Sequence, residues 1–335
     1  MKILVSSGHC YPAKMGAGAS DRVCDCVVKG LAELGHRVFY QLTYGATETL
    51  PPGVELATYR RFDVDVMYLH DFISPAWPKT RGVPWTTTYH SHIQPDGVRR
   101  PPLSANTIFV SKAHATAFGR SRFVLNGIDP GEFTYSETKD DYFLFAVADL
   151  SDLQLKGFEI ARSLVRDCGI RLIVCGSAPR GSSREAVVQK FAGDGIEYVG
   201  HVSGQRKADL FAGARCLLFP TQANETFGLV IAEALVSGTP VICSNRGACP
   251  ELLASETAKV GFVCEHYSDY IEAIAAIDRI SPAACRRHAL ERFHYLRMAR
   301  DYVREFIAEI EGWPKRRDRW VEFTKSGRRY AVRLD

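Results

Sequence analysis

A chain of 335 residues exceeds one ordinary domain and has room for two, each with its own apolar core. With 46% hydrophobic residues, 24% charged residues and a net charge of +4, it is globular in composition, which excludes collagen-like, low-complexity and disordered classes. Its longest apolar tract, 228–243, is interrupted by Glu233, Gly238 and Pro240, so no stretch reaches the length of a membrane span.

Short β-branched runs alternate with helical patterns along the chain, which predicts βα units and parallel sheets buried on both faces. The first series places strands at 3–6, 38–42, 66–70, 85–90, 107–110 and 123–125; the second places them at 142–147, 171–175, 196–199, 214–219 and 240–243. Between them lie the turn formers Asn126, Gly127, Asp129, Pro130 and Gly131 and a charged stretch, 137–141, which reads as the hinge. The expected domains are 1–134 and 138–296. After 261–263 the pattern turns helical, at 268–278, 282–292 and 298–310, the last stopped by Gly312 and Pro314. Residues 319–334 then alternate around Lys325-Ser326-Gly327 as a hairpin.

The ten cysteines are scattered without CxxC spacing, which reads as buried reduced thiols. After Lys2 only Ile3, Leu4 and Val5 precede polar residues, too few for the apolar region of a secretion signal, so a cytoplasmic location is expected. Charge is uneven: residues 315–335 hold eight basic against three acidic side chains. Such a tail suits an anionic acceptor or a peripheral contact with an anionic surface such as the inner face of a membrane, and equally a solvated charged edge.

Two segments carry chemistry. Gly16-Ala17-Gly18 follows the first strand and precedes a helix, where small residues let backbone N–H groups approach a phosphate or a polar sugar group. It is not GxGxxG, because Asp21 occupies the third glycine position, so a dinucleotide is disfavoured. The second segment is 220–241. A strand ends at Pro220, a polar loop presents Glu225, and a helix starts near Phe227 or Gly228 at the strand's C-terminal end, where open α/β sheets bind ligands. The helix dipole suits a diphosphate, Glu225 can accept hydrogen bonds from sugar hydroxyls, and Glu233 can take both hydroxyls of a ribose.

Glu225 and Glu233 are separated by seven residues, and this block resembles the EX7E region of retaining GT-B glycosyltransferases, family 4 in particular. The likeness extends over about 250 residues, through Leu34-Gly35-His36, Tyr68-Leu69-His70, Thr88-Tyr89-His90, Val110-Ser111-Lys112, Asn126-Gly127-Ile128-Asp129, Lys156-Gly157, Val199-Gly200-His201-Val202, Gly247 and Glu251. The resemblance implies a GT-B fold, two Rossmann-like domains facing each other across a cleft, with an N-terminal acceptor domain, a C-terminal nucleotide-sugar domain, and a C-terminal helix, 297–312, returning to the first. It implies a hexosyl transfer from a UDP-, GDP- or ADP-sugar donor, with no tightly bound cofactor and no metal. Lys156 would neutralise the donor diphosphate, and His90 would reach the transferred sugar. Glu225, Thr226, Phe227, Gly228, Leu229 and Glu233, with Gly16 and Gly18, would hold the donor. The acceptor, whether glycan, small molecule, lipid-linked or other anionic molecule, is not legible.

One departure stands out. Where the family has Gly-Arg before the lysine, this chain has Ala148-Asp149-Leu150, so either Asp149 points elsewhere or another cation, Arg180 or Arg246, substitutes. A sugar-nucleotide isomerase or hydrolase, or a non-catalytic binding subunit on the same fold, are the alternatives. Asp63-Val64-Asp65 matches a metal-binding DxD but falls at the N-terminal end of its strand, away from ligands. His70 and Asp71 read as a polar wall or an acceptor contact, His92 has no assigned role, and Arg99-Arg100 marks an acceptor-side loop.

Overall fold

The computed structural model describes residues 1–13, 19–57, 63–70, 82–91, 103–179, 181–182, 187, 195–316, 320–325 and 328–333, with the backbone alone beyond residue 313. The chain divides into two compact units, Met1–Gly127 with Tyr295–Asp335, and Ile128–His294. The turn formers 126–131 span the first boundary, and Asp129 caps a 3-10 turn, Pro130–Glu132, by accepting from Gly131 N at 2.9 Å.

Among the described residues the main sheet of the first unit is built from six strands, β1 (Lys2–Ser7), β2 (Arg37–Leu42), β3 (Val54–Leu56), β4 (Val66–Leu69), β5 (Trp85–Tyr89) and β6 (Thr107–Phe109). They form a parallel sheet of order β3-β2-β1-β4-β5-β6, so the connections reverse direction between β1 and β4. Helix α1 (Ala19–Glu33) buries Val23, Val27 and Leu31, and α2 (Lys112–Ala117) is capped by Ser111, whose side chain accepts from His114 N. Leu4, Phe39, Met67, Leu69, Val83 and Trp85 form one core cluster, with Trp313 packed against it.

The second unit repeats the plan. Strands β7 (Phe143–Asp149), β8 (Leu172–Ser177), β9 (Ile196–Gly200), β10 (Cys216–Phe219), β11 (Val241–Ser244) and β12 (Gly261–Cys264) lie parallel in the order β12-β11-β10-β7-β8-β9. Its helices are α3 (Phe158–Cys168), α4 (Gly204–Gly213), α5 (Leu229–Val236), α6 (Cys249–Leu253), α7 (Tyr267–Ala276) and α8 (Pro282–Phe293). Helix α3 shows why these segments are helical: Phe158, Ala161, Leu164 and Val165 fall on one buried face, and Gly169 ends it at φ +65°. The reversal here lies between β7 and β10.

Two parallel, Rossmann-like sheets are as expected, and the differences are local. Strand β3 is short and half-exposed, too brief for a periodic signal, and residues 123–125 contribute only a bridge from Phe123 to Phe109. Gly261–Cys264 is a sixth strand, paired with β11. The last helix, α9 (Tyr295–Arg316), starts earlier than expected and passes through Gly312 and Pro314. Its fully buried Met298, Tyr302 and Phe306 repeat every fourth residue, and packing of that stripe outweighs one lost hydrogen bond near the C-terminal end. Residues Trp320–Lys325 and Arg328–Arg333 form the antiparallel hairpin, β13 and β14, with Lys325 opposite Arg328.

Candidate functional site

The strands of the second unit deliver two loops to the point where its topology reverses. After β7 the chain makes a 3-10 turn, Leu150–Asp152, and reaches Lys156. After β10 it runs through Thr221 to Glu225. Gln222 N donates to Leu155 O at 2.8 Å, which ties the loops together. Gly157 makes the close approach possible: at φ +76° it lies so near Pro220 that a Cβ would fall on the Pro220 carbonyl.

Lys156 Nζ and Glu225 Oε1 form an ion pair, with side chains 17% and 8% exposed. Thr221 Oγ1 donates to the same oxygen at 3.1 Å, and Ser244 Oγ holds Thr221 by donating to its carbonyl at 2.6 Å. The backbone of Glu225 is fixed from the other side, where Ala248 N donates to Glu225 O at 2.9 Å and Gly247 packs too closely to admit a Cβ. Both side-chain contacts fall on Oε1, and among the described residues Oε2 has no hydrogen-bond partner. A carboxylate gripped by one oxygen is preorganised to accept a hydroxyl with the other.

Beyond Glu225, Thr226 is half-buried and Phe227 is buried, its ring edge-on to Phe293 at 5.8 Å. Gly228 is the N-cap of α5 at φ +95°, with no side-chain hydrogen bond to the cap, so the first-turn N–H groups from Leu229 onward rely on other partners. That end of a helix favours anions. Glu233, in the second turn, is 1% exposed and accepts from Lys207 Nζ at 2.7 Å.

Asp149 points into its own turn: its Oδ1 accepts from Ser151 N at 2.7 Å and caps the 3-10 turn that leads to Lys156. Of the two cations considered as substitutes, Arg246 is exposed and Arg180 lies outside the described residues. Lys207 is the cation that sequence reasoning missed. So is Thr221 as a holder of Glu225, although its spacing of four from that residue was in view.

In the first unit His90 follows β5 and His70 follows β4, with ring centroids 4.5 Å apart. His70 is fully buried, its Nε2 lies 2.6 Å from Ser20 O, and its Nδ1 lies 2.8 Å from Tyr68 Oη. Burial pushes its pKa down to about 4, so Nε2 donates to the carbonyl and Nδ1 accepts from the phenol. His70 is therefore an internal polar residue. His90 is held well below the ordinary histidine range by burial and then by His70 and His114, and among the described residues its Nε2 has no hydrogen-bond partner.

At the end of β1 stands a further group: His9 Nε2 lies 3.1 Å from Asp25 Oδ1, Tyr40 Oη donates to the same oxygen at 2.8 Å, and Ser7 Oγ lies beside His9 Nδ1. Sequence reasoning missed this group; Asp21 and Asp25, one helical turn apart on α1 and both beside His9, are the spacing that could have signalled it. Gly16, Gly18, Asp71, His92, Arg99 and Arg100 lie outside the described residues. Asp63 and Asp65 are engaged by Lys2, through its side chain at 2.8 Å and its backbone N–H at 2.7 Å, at the end of the sheet away from these sites. No helix among the described residues is long and apolar enough to cross a membrane.

Known proteins resemble this chain in fold and over part of its sequence. Residues 144–280 match the family model of the glycosyl transferases group 1. An O-antigen chain mannosyltransferase of Salmonella typhimurium is 25% identical over 147 residues, 44% of this chain and 41% of that protein, so the match spans about two fifths of that relative's length. Among solved structures, AviGT4, a glycosyltransferase involved in avilamycin A biosynthesis, superposes with a TM-score of 0.73 at 24% identity over 93% of this chain and 98% of that one. Anabaena HepE in complex with UDP and glucose gives 0.66 at 16% identity over 92% and 100%. Residues 144–280 of the second unit thus match the glycosyl transferases group 1 model, and the chain has the GT-B fold.

Proposed function

We propose that this protein is a retaining glycosyltransferase that moves a hexosyl group from a nucleoside-diphosphate sugar to an acceptor hydroxyl without a metal ion. The observation that carries the reading is the Lys156–Glu225 pair, steadied by Thr221, at the reversal point of the sheet within the matched segment. Lys156 and the start of α5, with the backbone of Thr226, Phe227, Gly228 and Leu229, neutralise and hold the diphosphate. Glu225 accepts from a hydroxyl of the sugar, and Glu233 accepts from the ribose. The family resemblance assigns Gly16 and Gly18 to donor contacts and His90 to the transferred sugar, and the neutral His90 has an Nε2 without a hydrogen-bond partner among the described residues.

In the step itself the bond from the anomeric carbon to the phosphate oxygen breaks, and the acceptor oxygen bonds to that carbon from the same face. The acceptor's proton passes to the departing phosphate oxygen, so neither glutamate acts as a nucleophile. The basic residues of 315–335 favour an anionic acceptor or a peripheral anionic surface.

A thermal-shift screen of GDP-mannose, UDP-glucose and ADP-glucose tests the donor assignment, because a ligand of the native state raises its melting point. NMR of the product then reads its anomeric configuration. Donor cleavage that proceeds equally without any acceptor would replace the transferase reading with a hydrolase one.

A further inference from the structure

The donor site contains a cation outside the loops that define it, and it is held against a carboxylate almost wholly removed from water. Lys207 lies in the first turn of α4 and Glu233 in the second turn of α5, 26 positions later, and their side chains are 22% and 1% exposed. Glu233 stands four residues beyond Leu229, roughly 6 Å along the helix from the end that suits a diphosphate, about the offset from a diphosphate to the ribose that bears it.

Stability alone does not call for such a pair, since apolar side chains of equal volume fill a buried site as well or better. Its chemistry is more specific. An ammonium has three N–H donors and Glu233 uses one of them, while the carboxylate only accepts. Together they match two adjacent hydroxyls: one donates to Glu233, and the oxygen of its neighbour accepts from Lys207. Because the two charges cancel, the pair adds little attraction for a phosphate and selects a neutral diol.

We propose that Lys207 is a specificity-determining residue that, with Glu233, makes binding depend on an intact ribose 2′,3′-diol. This rests on the donor reading above.

Titration calorimetry of the full chain with UDP, GDP and ADP, the 2′-deoxy analogue of the tightest, and inorganic pyrophosphate tests it. Wild-type protein should prefer the ribo form by about tenfold, a charge-assisted hydrogen bond's worth. Lys207→Met should weaken the ribonucleotide by about tenfold, narrow the gap between the two forms, and leave pyrophosphate binding within about twofold. The double variant Lys207→Met/Glu233→Gln removes both charges and keeps the test informative should the single variant fold poorly; it should fail to discriminate. Undiminished discrimination in either variant, or an equal loss of pyrophosphate, overturns the assignment of Lys207 and leaves the donor site standing. No binding of any of the three nucleotides to wild-type protein overturns the donor reading itself.

Discussion

Lys156 and Glu225, 69 positions apart, meet in an ion pair because two loops leave adjacent parallel strands, β7 and β10, at the point where the sheet's connections reverse. The pair leaves the other oxygen of Glu225 without a hydrogen-bond partner among the described residues and places the ammonium next to the loop that precedes α5. Its two members are expected to respond differently to substitution.

Glu225→Gln removes the charge that compensates Lys156 while preserving shape. Inorganic pyrophosphate should then bind about threefold to tenfold more tightly, because the lysine no longer shares its field with a carboxylate. Sugar transfer should fall by about 10- to 100-fold in kcat/KM, the loss of one charge-assisted hydrogen bond. Weaker pyrophosphate binding in this variant would show that Glu225 and Lys156 do not compete electrostatically.

Gly157 sets the position of Lys156. In Gly157→Ala the new methyl meets the Pro220 carbonyl, and the residue carries a left-handed φ, so the two loops must separate. The expected cost is about 2 kcal/mol or more in unfolding free energy. Donor binding should fall beyond what the stability loss explains. Chemical denaturation and calorimetry on the same sample separate the two effects, and a variant of unchanged stability would contradict the contact.

The pH dependence of folding follows from His70. Its native pKa of about 4 lies below the ordinary 6.5, so as pH falls the unfolded chain takes up this proton first. The contribution is fully present above about pH 6.5, declines between 6.5 and 4, and amounts to at most about 3 kcal/mol. His70→Gln retains a donor and an acceptor without titrating, so urea unfolding at pH 7.5 and 5 should show a smaller difference than in the wild type. Equal differences in the two proteins would remove His70 from the account.

How far the sequence alone reached depends on the kind of signal. Buried parallel strands are runs of apolar residues, and Leu217, Leu218, Val241 and Ile242 stood out for that reason. Glu225 and Glu233 were legible because loop and helix follow each other directly, so their spacing survives folding. Lys207 was not, since it sits on a different helix and meets Glu233 only through tertiary packing. The departure at Asp149 looked like a charge facing a diphosphate, whereas a short-range backbone hydrogen bond takes it up locally. Pro314 misled in the opposite direction, because the buried stripe on α9 is stronger than one proline near a helix end.

The central claim is that the second unit grips the donor at the loops after β7 and β10 and at the start of α5. Amide hydrogen exchange of the full chain, with and without saturating amounts of whichever of GDP-mannose, UDP-glucose or ADP-glucose raises the melting point, tests it most directly. The account predicts slowed exchange in residues 149–157 and 221–233, and loss of that protection in Lys156→Met. Protection elsewhere that leaves both segments unchanged would contradict it.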